Sequence, residues 1–229
     1  LAGHGSASEE SFARVDPQDW ITDAAEAIAL SRLLGDQIIL MSCSTGSTLA
    51  TYLAAENPNA IAAHILYSPN FDLADSNSKM MTLPWGLQLT RLAFDSHYRT
   101  IDLGAEANQF WTTTYRLEGI LALRYLVDDT MTEEIWENFD DPYLLCYYYQ
   151  DEQNHDKVIS IEAIEKFHEI NQGDYLLNTI KPLAEPGGHV IASPLQSKNI
   201  EIVKEVTRDF LKSFFSQAKL ENQPGNKDQ

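Results

Sequence analysis

Residues 37–50 read Gln-Ile-Ile-Leu-Met-Ser-Cys-Ser-Thr-Gly-Ser-Thr-Leu-Ala, and this stretch decides the fold. The apolar run at 38–41 predicts a short buried strand, and apolar residues return at helical spacing after position 46. A strand, a tight turn with a central serine and a helix form the context that a nucleophile elbow requires. Ser44, at the centre of the turn 42–46, is therefore the candidate nucleophile.

The same turn predicts an oxyanion site. The N-terminus of the following helix directs its first backbone N–H, that of Thr45, at the position where negative charge would develop. Ser42 stands where the G-x-S-x-G pattern has its first glycine, and Gly46 occupies the place of the second. We expect a side chain as small as that of Ser42 to be accommodated. The competing interpretation is that Ser44 is a turn or helix-cap residue, which is common for a serine at the end of a strand.

An acid and a histidine follow in the later part of the chain. Residues 143–149 predict a buried strand, and the polar segment after it contains Asp156. Residues 175–183 predict another strand, and His189 follows it behind two glycines. Periodic apolar residues predict helices over 161–170 and 200–215. Serine, acid and histidine, each placed after a strand, stand in the order that the α/β-hydrolase fold uses.

These motifs resemble those of the bacterial carboxylesterase and monoglyceride lipase group of α/β-hydrolases. The matching segments are residues 3–5 (Gly-His-Gly) with Asp19-Trp20 before the elbow strand, the elbow at 42–46, the acid turn at 155–159 and the histidine loop at 188–191. They cover both halves of a hydrolase core but not the residues between about 72 and 140. The resemblance implies an α/β fold, with a mostly parallel sheet flanked by helices and a helical cap inserted into it.

Two aspartates are candidates for the acid. Asp156 is favoured because the apolar residues Val158 and Ile159 follow it, as in the acid turn of the group that the chain resembles. Asp151 is the alternative acid; it follows the tyrosine-rich strand directly and would need a shorter loop. Either carboxylate would accept a hydrogen bond from the Nδ1–H of His189, which fixes the histidine tautomer and stabilises the imidazolium form.

The resemblance further implies a serine hydrolase that needs no cofactor. It would cleave short- or medium-chain acyl esters or monoacylglycerols through an acyl-enzyme on Ser44. In that group the second oxyanion donor comes from a His-Gly loop after the third strand. Asp19-Trp20 aligns the glycine loop at 3–5 with the loop after the fourth strand instead. We therefore predict that Thr45 supplies one donor and that the second donor is not in this chain.

The middle of the chain lacks strand patterning from about residue 72 to 140, and helices are predicted there over 80–94 and 117–127. In the group that the chain resembles, a helical insertion at this place forms a cap over the active site. The predicted division is a first core part at 1–71, a helical cap at 72–140, a second core part at 141–217 and a polar C-terminal tail at 218–229. The candidate residues of a substrate pocket are His4, Cys43, Trp85 and Trp111.

Composition limits the classes of function. The 229 residues are enough for one large core, or for a core with an inserted subdomain. Sixteen basic and 34 acidic residues give a net charge of −18, which would repel nucleic acid. No apolar run approaches the length of a membrane span. Two cysteines make no disulfide framework, which agrees with a cytoplasmic location. The spacing of histidines, cysteines and carboxylates suggests no metal site.

A second class of function remains open at this point. The same fold also serves as a non-catalytic or receptor-like protein that binds a small apolar ligand beneath the cap. The presence of serine, aspartate and histidine together favours the enzyme, because a binding protein has no need of all three.

The number of predicted strands leads to one more expectation. Residues 38–41, 64–67, 143–149 and 175–183 are the four strand candidates, whereas the resemblance implies about four more before the elbow strand. Without them the elbow strand would lie at the edge of the sheet with unpaired backbone groups. We therefore expect a further segment of about 60–100 residues to precede Leu1, by domain-size reasoning.

Overall fold

A computed structural model describes residues 1–5, 8–173 and 177–221. The strands are β1 (Ile39–Cys43), β2 (Ala63–Tyr67), β3 (Tyr98–Thr100), β4 (Thr114–Arg116), β5 (Tyr143–Tyr148) and β6 (Thr179–Leu183). The α-helices are α1 (Pro17–Ser31), α2 (Thr45–Glu56), α3 (Gly86–Phe94), α4 (Ala105–Asn108), α5 (Leu117–Thr130), α6 (Glu133–Glu137), α7 (Ile161–Asn171) and α8 (Ile200–Glu221). A 3-10 helix spans Ser76–Thr82.

The central sheet has the strand order β1-β2-β5-β6, and all of its neighbouring strands are parallel. Its register aligns Cys43 with Tyr67 and Tyr67 with Cys146. The carboxyl ends of parallel strands meet at one edge of a sheet, so the loops after β1, β5 and β6 lie together. The predicted parallel sheet flanked by helices is confirmed. Within the described residues, β1 lies at one end of this sheet and pairs only with β2.

Strand β2 shows how the sheet is covered on both faces. All five of its residues are buried. Ala63, Ile65 and Tyr67 pack in one cluster with Val203 and Phe210 of α8. The alternate residue Leu66 packs on the opposite face in a cluster that contains residues of α2, α5, α6 and α7. A strand with apolar residues on both faces is typical of a parallel sheet between two layers of helices.

The segment predicted as a cap, residues 72–140, contains two different parts. Its first part holds the 3-10 helix, α3, α4 and an antiparallel pair formed by β3 and β4. The second part, α5 and α6, packs into the main core, where Val127 and Trp136 share a cluster with Leu66. Three-residue strands are too short to show an alternating pattern, so the sequence does not predict β3 and β4.

Several predicted boundaries shift in the structure. Strand β6 begins at Thr179 rather than 175, and residues 174–176 lie outside the described residues. Helix α8 continues to Glu221, so the predicted tail at 218–229 begins as helix, and residues 222–229 are not described. The sequence indicated only the start of α1, near Asp19-Trp20. The structure gives this helix a capping box between Asp16 and Asp19 and a proline at its N-terminus.

Gly119 allows α5 to approach the N-terminal loop. A Cβ atom at this position would lie 2.8 Å from Cβ of Phe12, which is itself buried. We expect Gly119→Ala to lower the free energy of unfolding by about 1–3 kcal/mol, because the added methyl group overpacks this contact. Urea denaturation measures the change.

Gly35→Ala is the matched control for that substitution. A Cβ atom at Gly35 would have the Gln37 carbonyl oxygen at 3.9 Å as its nearest neighbour, which is an ordinary contact. If the Gly119→Ala protein is as stable as the Gly35→Ala protein, the close approach of α5 to Phe12 does not constrain the fold.

Candidate active site

Ser44 lies in the turn between β1 and α2 with a backbone conformation that is rare for a residue with a side chain. Its φ is 52° and its ψ is −122°. The Ser44 N–H donates to the Tyr67 carbonyl oxygen at 3.0 Å, and its own carbonyl oxygen accepts from the N–H groups of Ser47 and Asn70. These three hydrogen bonds hold the strained turn on the loop after β2 and on the first turn of α2.

The turn accommodates a serine where the motif has its first glycine. A Cβ atom added at Gly46 would lie 3.7 Å from the Cβ atom of Ser42, so the strand and the helix are not forced apart. The Ser42 hydroxyl forms a hydrogen bond with the Ser47 hydroxyl at 3.0 Å. A polar contact therefore joins β1 to α2 at this point. The Ser44 side chain makes no cap hydrogen bond to α2, which argues against the interpretation of Ser44 as a helix cap.

Ser44, His189 and Asp156 form one continuous chain of hydrogen bonds. His189 Nε2 lies 2.9 Å from Ser44 Oγ, and His189 Nδ1 lies 2.7 Å from Asp156 Oδ2. Asp156 is 1% exposed. A carboxylate can only accept, so Nδ1 carries the proton and Nε2 is free to accept from the serine hydroxyl. The structure thus brings together three side chains that are as much as 145 residues apart in sequence.

Backbone contacts fix the loops that carry Asp156 and His189. The Asp156 N–H donates to the Tyr148 carbonyl oxygen at the end of β5. The His189 loop follows β6 and is closed by a hydrogen bond from the Lys198 N–H to the Pro186 carbonyl oxygen. Gly187 in this loop has a φ of 68°, a conformation that favours glycine, and a Cβ atom there would lie 2.7 Å from Lys198 Cδ.

The alternative acid, Asp151, stands in a different place. Its carboxylate accepts hydrogen bonds from the N–H groups of Gln153 and Asn154 and from the Asn154 side chain, so it closes an exposed turn. These hydrogen bonds, from Asn154 first, hold the pKa of Asp151 below its ordinary value. The carboxylate that contacts His189 belongs to Asp156.

The Thr45 N–H is the first of α2, and the first N–H groups of a helix have no preceding carbonyl of the same helix to donate to. It lies directly beside Ser44 in sequence, at the positive end of the helix dipole. An oxygen that gains negative charge in a Ser44 adduct would therefore lie next to a backbone hydrogen-bond donor. That the second donor is not in this chain stays a prediction.

The four predicted pocket residues have different surroundings. His4 packs edge-on against Phe12, with 5.0 Å between the ring centroids, and Trp85 is 75% exposed. Trp111 is half-buried. Cys43, next to the serine, is half-buried, and burial together with the charge of Asp156 raises its thiol pKa to about 11.

A cavity of about 500 Å³ lies between the 3-10 helix, α3, α5 and the loop after Asp156. Lys157 and Val158, the two residues that follow Asp156, form part of its wall. Its apolar lining includes Met81, Leu89, Ala93, Phe94, Leu117 and Ile120. These residues are not among the pocket residues predicted from the sequence. Apolar side chains that recur along 80–94 were the available signal, but sequence alone does not tell a pocket wall from a small core.

The described residues contain neither a metal-binding cluster nor a membrane-spanning helix. Across residues 1–5, 8–173 and 177–221, no three His, Cys, Asp or Glu side chains stand where they could hold a metal ion. No helix in the described part of the chain is long and apolar enough to cross a membrane.

Comparison with known proteins identifies the family. Residues 1–172 match the family of serine aminopeptidases, S33. A comparison with curated protein sequences finds no significant match.

The fold is similar to several solved lipolytic enzymes. A structure reported with the metagenome-derived lipolytic enzymes LipS and LipT superposes with a TM-score of 0.67 at 16% identity, over 93% of this chain and 80% of the other. A monoacylglycerol lipase of Paleococcus ferrophilus gives 0.62 at 15% identity over 94% and 81%. A soluble variant of monoglyceride lipase from Saccharomyces cerevisiae gives 0.62 at 14% identity over 94% and 75%. At such identities the likeness concerns the fold, and the family match completes the assignment: the chain belongs to the S33 serine aminopeptidase family of α/β-hydrolases.

Proposed function

We propose that this chain is a serine hydrolase that cleaves carboxylic esters through an acyl-enzyme on Ser44. The observation that carries the proposal is the hydrogen-bonded series from Ser44 Oγ through His189 to Asp156, with distances of 2.9 and 2.7 Å. The distances are those of an activated nucleophile with its general base and the group that orients the base. The buried Asp156 supplies the orientation, since its carboxylate accepts from Nδ1.

In the first half of the reaction, Ser44 Oγ attacks the ester carbonyl carbon while His189 Nε2 takes the hydroxyl proton. The carbonyl π electrons move to the oxygen, which becomes the oxyanion beside the Thr45 N–H. Collapse of this intermediate breaks the bond to the alkoxy oxygen. The imidazolium of His189 gives its proton to that oxygen, so the alcohol leaves and the acyl group stays on Ser44.

Water completes the reaction by the same route in reverse. His189 takes a proton from a water molecule as its oxygen attacks the acyl carbon, and a second oxyanion forms. Collapse releases the carboxylic acid and returns the proton to Ser44 Oγ. Asp156 remains ionised throughout and stabilises the imidazolium in both halves. Each oxyanion donor is expected to contribute about 10²- to 10³-fold to the rate.

The cavity beside the loop after Asp156 supports an apolar acyl group as one part of the substrate. Its wall combines the apolar residues of α3 and α5 with Val158, which lies two positions after Asp156. A largely apolar wall of this kind suits the acyl chain of a fatty-acid ester, and Asp75, Asn77 and Ser78 belong to its polar part. Monoacylglycerols and short- to medium-chain esters are the substrates that we propose, and aminoacyl p-nitroanilides test the family description against them.

Ser44→Ala should abolish both ester hydrolysis and labelling by a fluorophosphonate probe. The loss in kcat should be about 10⁴-fold or more, because the nucleophile itself is removed. Mass spectrometry of the labelled protein measures the outcome. Ser42→Ala is the matched control in the same turn and should keep its label. A folded wild-type protein that takes no label would instead support a non-catalytic ligand-binding protein.

Asp156→Asn should lower kcat by about 10⁴-fold with little change in KM, because an amide no longer selects the productive His189 tautomer. Asp151→Asn changes the same chemical group in the exposed turn five residues earlier and should stay near wild type. Steady-state kinetics on p-nitrophenyl butyrate separates the two. The reverse ranking would make Asp151 the acid.

Chain-length preference tests the acyl site. We expect kcat/KM to be higher on p-nitrophenyl butyrate to octanoate than on acetate, because each buried methylene contributes about 0.8 kcal/mol. Ala93→Trp should shift the optimum towards acetate, since Ala93 lines the cavity. Gln88→Trp, on an exposed position of the same helix, is the control. If wild type prefers acetate to every longer ester, the cavity does not hold the acyl chain.

A further inference from the structure

The carboxylate of Asp156 is held by two hydrogen bonds on different oxygens. Oδ2 accepts from His189 Nδ1, and Oδ1 accepts from the Val158 N–H at 2.9 Å. The Val158 N–H therefore sets the rotation of the carboxylate about its side chain, and a shift of this peptide would turn Oδ2 away from the histidine. The contacts that fix the position of Val158 therefore also affect the geometry of the proposed triad.

The segment that contains Val158 is paired with residues 72–74. The Ala74 N–H donates to the Val158 carbonyl oxygen at 3.0 Å, and the Ser160 N–H donates to the Asp72 carbonyl oxygen at 2.8 Å. Leu73 and Ile159 lie opposite each other in an antiparallel bridge between these two hydrogen bonds. The acid loop is therefore attached to residues 72–74, which lie outside the central sheet.

Asp72 connects these residues to α5 through its side chain. Asp72 Oδ1 lies 2.5 Å from Arg124 Nη1, and Arg124 is only 2% exposed. The other terminal nitrogen of Arg124 lies 2.5 Å from Asp128 Oδ1, and Lys79 contacts Asp72 Oδ2 from the solvent side at 2.9 Å. Burial alone would raise the pKa of Asp72, but the hydrogen bonds from Arg124 and Lys79 outweigh it and hold the pKa below its ordinary value. Asp72 is thus charged at neutral pH and faces a buried guanidinium.

We propose that the Arg124–Asp72 ion pair is a positioning element for the acid of the triad, so that Arg124 acts on the reaction through residues 72–74, Val158 and Asp156. The proposal rests on the proposed function for its kinetic readout. This route involves no contact between Arg124 and either Ser44 or His189. Its effect is to fix one peptide on which the orientation of the carboxylate depends.

The ion pair suits this role because a guanidinium is planar and holds its partners in fixed directions. Arg124 uses its two terminal nitrogens for two different carboxylates, which sets the orientation of the guanidinium as well as its position. A flexible ammonium in its place would hold Asp72 less rigidly. The chain also offers controls that touch the same two groups, because Lys79 contacts only the exposed oxygen of Asp72 and Asp128 contacts only the second nitrogen of Arg124.

The first experiment compares Arg124→Met and Asp72→Asn with Lys79→Met and Asp128→Asn. We expect the first two to lower kcat on p-nitrophenyl butyrate by about 10- to 100-fold, the range associated with small misplacements of a reacting group. KM should stay within about twofold, because ground-state binding is not affected. The two controls should stay close to wild type, and Arg124→Lys should restore part of kcat. Equal losses in the controls would overturn the proposal.

A spectroscopic readout separates positioning from a general loss of structure. The His189 Nδ1 proton, hydrogen-bonded to Asp156, should give a downfield resonance in the proton NMR spectrum of wild type. This resonance should shift or disappear in Arg124→Met while urea denaturation still shows a cooperative transition. Loss of kcat with an unchanged resonance would contradict the proposal, as would wild-type kcat together with an unchanged resonance.

The double variant Asp72→Asn/Arg124→Met keeps the test decisive if Arg124→Met does not fold. It leaves no unpaired buried charge, and neutral replacements of a buried ion pair are commonly tolerated. We expect it to fold and to show the same low kcat and altered resonance. If wild type itself has no esterase activity and takes no fluorophosphonate label, the proposed function fails, and the resonance still decides whether Arg124 positions Asp156.

Discussion

The strained backbone of Ser44 is the constraint on which the other parts of the site depend. A residue with a side chain at a φ of 52° costs about 1–3 kcal/mol unless its surroundings hold it there. The Ser44 N–H is held by Tyr67, and its carbonyl oxygen is held by Ser47 and Asn70. The strain is thus sustained by the loop after the neighbouring strand and by the first turn of α2, and the hydroxyl remains free to meet His189.

The parallel sheet determines where the partners of Ser44 come from. Each of them follows a strand of the same sheet, so the carboxyl ends of β1, β5 and β6 deliver serine, aspartate and histidine to one edge. The helices on the two faces then fix the strands. Helix α5 belongs to this scaffold as much as α2 does, since its buried residues pack both against the N-terminal loop and in the core cluster around Leu66.

The sequence was sufficient for the parts of the structure that depend on local patterns. The strand, turn and helix around Ser44, the loop behind Gly187 and the acid turn at Asp156 each leave a signal within about ten residues, and the order of the three motifs predicts the fold. The strands β3 and β4 leave no signal because they are three residues long. The sequence also does not show whether Trp136 belongs to the core or to a cap, because an apolar side chain suits both.

Contacts between residues far apart in the chain could not be predicted from a single sequence. Arg124 looks like a solvated charge on a helix until the fold places it 2.5 Å from Asp72, which is 52 residues away in the chain. The walls of the cavity are likewise drawn from the 3-10 helix, α3, α5 and the acid loop, which meet only in the folded protein. Trp85 is 75% exposed, and its place in a substrate pocket stays a prediction.

The environment of Cys43 has a consequence for the chemistry of the neighbouring serine. A thiol directly beside the proposed nucleophile Ser44 could compete with it or be converted to a sulfenic acid by peroxide, and both reactions require the thiolate. Burial and the negative charge of Asp156 raise the pKa of Cys43 to about 11, so the thiolate is scarce at neutral pH. Burial and, to a smaller extent, the carboxylate that accepts a hydrogen bond from His189 therefore make this sulfur a weaker nucleophile at neutral pH than an ordinary thiol.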